Sequence, residues 1–185
     1  DLQGKTVSIG AEESGSEQNA LQILSAYGLN DRLVDTINLN YTDAADQLKA
    51  GKIDAIVITV GIPSPVVTEL AGECGIRLLN VDGTAAQRLL SSYNAYREVT
   101  IPAGTYPGQD ADVQTVGVKA VLLASDSLPA KQVQQLTELL FSSREALEEQ
   151  LGLALDPETD AVEGVGIPFH AGAAAWYKQP GITVD

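Results

Sequence analysis

The stretch TVSIGAEESGSEQNALQIL, residues 6–24, decides the fold because it changes from the pattern of a strand to the pattern of a helix. Val7 and Ile9 alternate with polar residues, as in a β-strand, and the alternation stops at Gly10. The apolar residues that follow recur at helical spacing: Ala20, Leu21, Ile23 and Leu24. The stretch therefore predicts a strand, a glycine turn and an amphipathic helix in immediate succession.

The turn between this strand and this helix has the composition of an anion-binding site. Ser14 or Ser16 suits the N-cap, since a serine side chain accepts a hydrogen bond from the first turn of a helix. Gly15 lets the backbone approach a ligand closely. The first N–H groups of a helix are unpaired and carry the positive end of its dipole. The turn predicts an anion cradle, and the alternative is an ordinary capped turn that holds water.

Composition limits the classes of partner. The chain of 185 residues carries a formal net charge of -14 and is 44% hydrophobic, which suffices for a buried core. Its acidity argues against nucleic acid and against anionic membrane surfaces as partners. No apolar stretch approaches the length of about 18 residues that a membrane-spanning helix needs.

Cysteine and methionine usage adds two expectations. The single cysteine, Cys74, excludes an intrachain disulfide and a cysteine-rich metal site, and we expect it to be a small buried hydrophobic residue. The sequence contains no methionine and no signal peptide, so we expect a processed or truncated chain.

Further strands and helices alternate along the first half of the sequence. The predicted strands are Leu33–Leu39, Asp54–Val60 and Cys74–Val81, and the predicted helices are 43–51, 66–71 and 85–90. The nearly all-apolar run Asp54–Val60 suits a parallel strand covered on both faces. This alternation predicts an α/β fold with a mostly parallel sheet flanked by helices.

Two turns of this sheet are expected to meet at one edge. The turn after Gly10 and the turn after Thr59, which contains Gly61, both follow the carboxyl ends of strands and both open helices. Open α/β sheets bind ligands at that edge. The sequence therefore places a binding site there.

The second half of the sequence is less regular. Ser91–Gln109 is rich in Tyr, Pro and Gly, which predicts a loop with rigid aromatic surfaces. Val116–Ala124 predicts a strand whose neighbours are not evident, and such an unpaired apolar edge invites dimerisation or strand exchange. Pro129 is expected to start a long helix whose apolar face carries Leu136, Leu139 and Leu140.

No catalytic or metal-binding group of residues emerges from the sequence. Gly4-Lys5-Thr6 imitates the end of a phosphate-binding loop, but it precedes a strand instead of following one. His170 is the only histidine and has neither a metal-binding partner nor a nucleophile motif, so we expect a structural histidine. We therefore expect no enzyme activity, no catalytic residues, no metal and no cofactor.

Several segments together resemble the TAXI family of TRAP-transporter solute-binding proteins. They are DLQGKTVSIG (1–10), SGSEQNA (14–20), GKIDA (51–55), TIPAGTYPGQ (100–109) and IPFHAGA (167–173). The resemblance implies a bacterial, extracytoplasmic protein with the type 2 periplasmic-binding-protein fold. Such a protein traps a small carboxylate or amino acid between two lobes and delivers it to the permease subunits in the membrane.

The resemblance also implies a division of the chain. Residues 1–112 correspond to the second lobe. Residues 113–185 correspond to a crossover strand and the C-terminal helices of the first lobe, which would be incomplete because a first-lobe segment of about a hundred residues normally precedes this point.

The candidate ligand-binding residues are Ser14, Gly15, Ser16, Thr59, Gly61 and Tyr106. Tyr106 is expected to line the ligand cleft, although it could equally pack on Pro102 or Pro107. Glu13 and Glu17 are expected to point outward, away from a bound anion. Two other functions remain open on this fold: an enzyme, which would need a His or Lys constellation at the cleft, and the ligand-sensing domain of a receptor.

Overall fold

Strand β1 (Thr6–Ser8) lies at the centre of a parallel sheet in the computed structural model, which describes residues 1–152 and 154–184. The strand order is β2-β1-β3, where β2 is Asp35–Ile37 and β3 is Ala55–Ile56. Val7 stands opposite Thr36 on one side and Ala55 on the other. The predicted α/β fold with a parallel sheet flanked by helices is confirmed.

Helices connect these strands and follow them along the chain. They are α1 (Gly15–Ala26), α2 (Tyr41–Lys49), α3 (Pro65–Cys74) and α4 (Gly83–Ser92). The predicted helices therefore all form, each extended beyond its predicted bounds at one or both ends. Lys49 connects α2 to α3, since its ammonium group lies 3.3 Å from Glu69 and 3.2 Å from Glu73.

The core of this part of the chain follows from the alternation in β1. Val7 and Ile9 are 0% and 3% exposed and pack with Ala20 and Leu24 of α1. A second cluster joins Val67 and Ala71 of α3 to Tyr106. Burying these apolar side chains supplies about 1.5–3 kcal/mol for each large residue, which holds the helices against the sheet.

Two strand predictions in this region were wrong. The run 54–60 pairs only over the two residues of β3, and residues 55–60 are half-buried where coverage on both faces was expected. The physical reason is that β3 is an edge strand. The expected fourth strand, Cys74–Val81, does not form: Cys74 ends α3 with its side chain exposed, and residues 75–80 have no regular structure.

One strand of an antiparallel pair replaces the middle of the predicted loop. β4 (Tyr96–Ile101) pairs with β5 (Val113–Val118), with Tyr96 opposite Val118 and Ile101 opposite Val113. The turn between them is closed by the side chain of Gln109, whose amide donates to the backbone oxygens of Ile101, Pro102 and Ala111 at 3.0–3.1 Å. The Tyr, Pro and Gly residues that predicted a loop thus mark the turn and its flanks.

The chain divides into two compact units, Asp1–Val118 and Lys119–Asp185. β5 belongs to the first unit, so the division falls six residues after the expected boundary at residue 112. Whether these units correspond to parts of two lobes stays a prediction.

The described part of the second unit is helical. It contains α5 (Ala130–Ser142), α6 (Arg144–Leu151), α7 (Glu158–Ala161) and α8 (Ala171–Tyr177). α5 packs on α8, and the ring of Phe141 stacks on that of Trp176 with centroids 4.8 Å apart.

Two sequence predictions for this unit need correction. α5 begins after Pro129, as expected, but Leu136 and Leu139 on its predicted apolar face are 47% and 60% exposed, and Val133 is the residue buried. The predicted strand Val116–Ala124 ends at Val118, since Val118 pairs with the first residue of β4, Tyr96, and no strand in the described part of the chain pairs beyond it. Leu122 and Leu123 are consequently 67% and 70% exposed.

Within the described ranges, no helix has both the length and the apolar character that crossing a membrane requires.

Candidate functional site

The turn from β1 into α1 is built around Gly10. This residue has a φ of +100°, and a Cβ atom there would lie 2.8 Å from the Cβ of Ser16. Only glycine combines this backbone conformation with so close an approach to the helix. The start of α1 is therefore held directly against the carboxyl end of the central strand.

Ser14 is the N-cap of α1, as one of the two sequence alternatives predicted. Its Oγ accepts a hydrogen bond from the N–H of Glu17 at 3.1 Å. Because Oγ acts as an acceptor in this bond, the hydroxyl hydrogen of Ser14 remains available to a ligand.

The next two backbone N–H groups, those of Gly15 and Ser16, occupy the first two helical positions. Such groups have no partner within a helix. Among residues 1–152 and 154–184, none accepts a hydrogen bond from either group. Gly15 is exposed and Ser16 is partly exposed, so the geometry offers two adjacent donors to an anion.

The Glu17 side chain does not point outward as expected. Its carboxylate accepts one hydrogen bond from the N–H of Glu13 and another from the side-chain amide of Asn38, each at 2.7 Å. The physical reason is that both donors lie beside the turn and compensate the carboxylate charge. Glu13 itself is exposed, with a φ of +59°. Glu17 therefore stabilises the turn without covering the N–H groups of Gly15 and Ser16.

A chain of hydrogen bonds connects this turn to Thr59, in the segment that follows β3. Ser16 Oγ lies 2.5 Å from the hydroxyl oxygen of Tyr41, and the Tyr41 hydroxyl donates to the backbone oxygen of Thr59 at 2.8 Å. The side-chain amide of Asn19 donates to Thr59 Oγ1 at 3.2 Å. These bonds bring the two predicted turns together at one edge of the sheet.

Tyr96 extends the same network from β4. Its hydroxyl oxygen lies 2.8 Å from Asn19 Oδ1 and 2.7 Å from Gln22 Oε1. Burial raises the pKa of Tyr96 above its ordinary value, and the neighbouring Tyr93 adds to the increase. The Tyr96 phenol therefore stays protonated, and its single hydroxyl hydrogen is directed at the side-chain oxygens of Asn19 and Gln22, which fixes Asn19.

The second turn, from β3 into α3, offers its own donors. Pro65 is the first residue of α3 and has no N–H, so the unpaired N–H groups begin at Val66. Ser64, the N-cap, is 4% exposed and makes no capping hydrogen bond with its side chain. Gly61 is exposed between Thr59 and this helix.

Tyr106 lies in the interior of the first unit and not on an open surface. Its side chain is 5% exposed, packs with Val67 and Ala71, and accepts a hydrogen bond at its hydroxyl oxygen from the N–H of Ser64 at 3.0 Å. The residue is buried because the turn after β4 folds over α3. Tyr106 thus positions the start of α3 through Ser64, and little of its ring is open to a ligand.

Of the candidate residues, the structure brings Ser14, Gly15, Ser16 and Thr59 together, with Gly61 two residues further on. Sequence reasoning missed Asn19, Tyr41 and Tyr96. The signal for Asn19 was available, since it follows Ser16 by three positions and lies on the same helix face. The signal for Tyr41 was the N-cap Asn40, which starts α2 at this edge.

The described residues contain no group of three or more His, Cys, Asp and Glu side chains that could hold a metal ion. The donors at this edge are neutral hydroxyl, amide and backbone N–H groups. Such donors can bind an anion or a polar small molecule by hydrogen bonds.

The parallel sheet flanked by helices, with the starts of helices at its carboxyl edge, is consistent with a periplasmic-binding-protein-like lobe. Residues 1–181 match the NMT1-like family, a periplasmic-binding-protein-like family, and the chain belongs to it. The sequence resemblance is thereby confirmed at the level of a periplasmic-binding-type protein. Membership of the TAXI family is a narrower prediction.

Proposed function

We propose that this protein is the extracytoplasmic solute-binding component of a bacterial TRAP-type transporter of the TAXI family. It binds a small carboxylate or an amino-acid-like solute at the carboxyl edge of the β1–β3 sheet. It then delivers the solute to the permease subunits in the membrane. The proposal involves binding and release without chemical conversion.

The observation that supports this proposal most is the convergence of two helix starts at one sheet edge. The N–H groups of Gly15 and Ser16 are unpaired, and the side chain of Ser16 is connected to Thr59 through Tyr41. Open α/β sheets bind ligands at this edge, and the family relationship covers nearly the whole chain.

The chemistry of the edge favours an anion. Two backbone N–H groups and the positive end of the α1 dipole are complemented by the free hydroxyl hydrogens of Ser14 and Thr59. The net charge of -14 opposes the approach of an anion, but salt screens that repulsion beyond roughly 8–10 Å. Hydrogen bonds at contact are not screened in this way.

Paired ligands test the proposal. The 185-residue chain is titrated with small dicarboxylates and with the corresponding diamides, and binding is followed by calorimetry. We expect binding of the acids and none of the amides, because only the acids complement the dipole and N–H groups of α1. Equal affinity for acid and amide would contradict an anion site.

Two substitutions locate the binding. Thr59→Val keeps the side-chain shape and removes the Thr59 hydroxyl donor. Ser14→Ala removes the Ser14 hydroxyl donor. A hydrogen bond to a charged group contributes about 1.5–3 kcal/mol, so each variant should bind the acid roughly tenfold or more weakly. Ser25→Ala is the control, since Ser25 is an exposed serine near the other end of α1. Circular dichroism verifies that each variant is folded.

Transport and localisation need separate tests. Cell fractionation should place the protein outside the cytoplasm, and a tagged protein should co-purify with TRAP permease subunits when solute is present. Mass spectrometry of the recovered ligand should find it chemically unchanged. A product that accumulates with time would instead indicate an enzyme.

A further inference from the structure

The Tyr41 hydroxyl has a fixed hydrogen-bond direction. It lies 2.8 Å from the backbone oxygen of Thr59 and 2.5 Å from Ser16 Oγ. A carbonyl oxygen can only accept, so the single hydroxyl hydrogen of Tyr41 is donated to Thr59. The bond between Tyr41 and Ser16 must then be made with the hydrogen of Ser16.

This direction determines what Ser16 can offer to a solute. Its hydroxyl hydrogen is committed to Tyr41, and only the two lone pairs of Oγ are available. Ser16 is one of the candidate ligand-binding residues, and the hydrogen-bond chain makes its hydroxyl group an acceptor toward a solute. The N–H of the same residue remains a donor, so Ser16 presents a donor and an acceptor side by side.

Thr59 has the complementary polarity. Its Oγ1 accepts from the side-chain amide of Asn19, which leaves its hydroxyl hydrogen free. Asn19 is in turn oriented by the Tyr96 hydroxyl, which lies 2.8 Å from Asn19 Oδ1. The hydroxyl groups of Ser16 and Thr59 therefore differ in the bond that each can make with a solute.

We infer that Tyr41 is a positioning residue that sets the specificity of the site: it holds Ser16 as an acceptor, so the bound solute carries a hydrogen-bond donor next to its anionic group. This inference rests on the function proposed above. It narrows the solute class to acids that bear a hydroxyl or N–H group near the carboxylate. An acid with only an acceptor at that position would face the Ser16 lone pairs without a hydrogen between them.

Three probes of similar shape test the inference: succinate, malate (2-hydroxysuccinate) and 2-methoxysuccinate. Malate has a donor beside one carboxylate, succinate has no group there, and 2-methoxysuccinate has an acceptor only. Each is titrated into the ¹⁵N-labelled 185-residue chain, and the amide signals of Gly15 and Ser16 report binding at the edge. A neutral hydrogen bond contributes about 0.5–1.5 kcal/mol, so malate should bind roughly two- to tenfold more tightly than either other probe.

Tyr41→Phe tests the role of the tyrosine directly. The variant frees the Ser16 hydroxyl to rotate and donate, so the preference for malate over 2-methoxysuccinate should disappear while succinate binding remains. Tyr93→Phe is the matched control, because Tyr93 is 42% exposed and makes no hydrogen bond to Ser16, Asn19 or Thr59 among the described residues, and it should keep the preference for malate.

The outcomes separate this inference from the proposed function. If all three probes shift the Gly15 and Ser16 signals of the unsubstituted chain with equal affinity, the anion site stands and the inferred polarity is overturned. If no probe shifts these signals, both are overturned. A preference for malate that Tyr41→Phe leaves unchanged would also overturn the role of Tyr41. The comparison in the unsubstituted chain decides the polarity even if Tyr41→Phe does not fold.

Discussion

The hydroxyl of Tyr106 satisfies a backbone group that would otherwise be buried without a partner. It accepts the N–H of Ser64, and both residues are nearly fully buried, at 5% and 4% exposed. Tyr106→Phe keeps the ring and removes the acceptor. We expect the free energy of unfolding to fall by about 1–3 kcal/mol, because an unpaired buried donor costs this much. Urea denaturation followed by circular dichroism measures the change.

Tyr93→Phe provides the comparison for this measurement. Tyr93 is 42% exposed and its ring lies edge-on to that of Tyr96, a contact that phenylalanine would preserve. The substitution should change stability by less than about 0.5 kcal/mol. If the two variants are equally stable, the hydrogen bond from Ser64 is not a significant contributor.

Asp54 should make stability depend on pH. Its carboxylate accepts a hydrogen bond from the N–H of Thr6 at 2.9 Å and lies 3.0 Å from the Lys5 ammonium group. The Thr6 bond, followed by Lys5, lowers the pKa of Asp54 below its ordinary value of 3.8 in the folded protein. A carboxyl group with a lowered folded-state pKa stabilises the protein above its unfolded-state pKa, and this contribution is lost as the pH falls through the folded-state pKa.

Asp54→Asn isolates that contribution, because the asparagine does not titrate. The original chain should be the more stable of the two at neutral pH. The difference should decrease as the pH is lowered below about 3.8. Denaturation midpoints of both chains between neutral pH and pH 2 would measure this stability difference as a function of pH. A difference that does not vary with pH would show that Asp54 acts only through its shape.

Single residues also show where sequence reasoning succeeds. Ser14 was predictable as a cap because capping depends on a few neighbouring positions, and the structure confirms it. The burial of Tyr106 was not predictable, since it depends on the contact of the β4–β5 turn with α3, and Ala71 and Ser64 lie 35 and 42 positions before Tyr106. Glu17 was misjudged because its partner Asn38 lies in another segment of the chain.

At the scale of elements, α5 and α8 lie in close contact at Gly172. A Cβ atom at this position would lie 2.2 Å from the backbone oxygen of Ala130 and 2.9 Å from the backbone nitrogen of Gln134. Gly172→Ala must therefore push the two helices apart. Overpacking of this kind typically costs about 1–3 kcal/mol, and we expect a loss of that size in the stability of the second unit.

The fluorescence of Trp176 monitors this change, since the indole stacks on Phe141 of α5. Gly166→Ala is the control, because a Cβ there would meet no atom within 4 Å and its φ is not positive. The control should unfold at the same denaturant concentration as the original chain. If Gly172→Ala also unfolds at the denaturant concentration of the original chain, α5 and α8 are not in close contact at Gly172.

The prediction of elements depended on how local their signals are. The helices could be predicted because periodicity and caps are carried by neighbouring residues. The strands were harder: 54–60 has the composition of a covered strand, yet only Ala55–Ile56 pair because no fourth strand exists beyond it in the described sheet. β4 was hidden by nearby Tyr, Pro and Gly residues, which predicted a loop although its pairing with β5 is regular.

At the scale of the whole molecule, the two units differ in how much apolar surface they bury. Among the described residues, fifteen of the seventeen buried hydrophobic side chains lie in the first unit, and only Val133 and Tyr177 lie in the second. Eight of the twelve exposed large hydrophobic residues belong to the second unit, which is the shorter one. Since burial of apolar area is the main favourable term in folding, the first unit should be the more stable.

We therefore expect hydrogen exchange to separate the units. Amides in β1 and α1 should exchange only through the global unfolding of the first unit, whereas amides in α5 and α8 should exchange through an opening of lower free energy. The difference should be at least about 2 kcal/mol, roughly the burial of one core side chain. Gly172→Ala should accelerate exchange in α5 and α8 and leave β1 and α1 unchanged. Uniform protection across all four elements, or an equal effect of Gly172→Ala on all of them, would show instead that the chain unfolds as one cooperative unit.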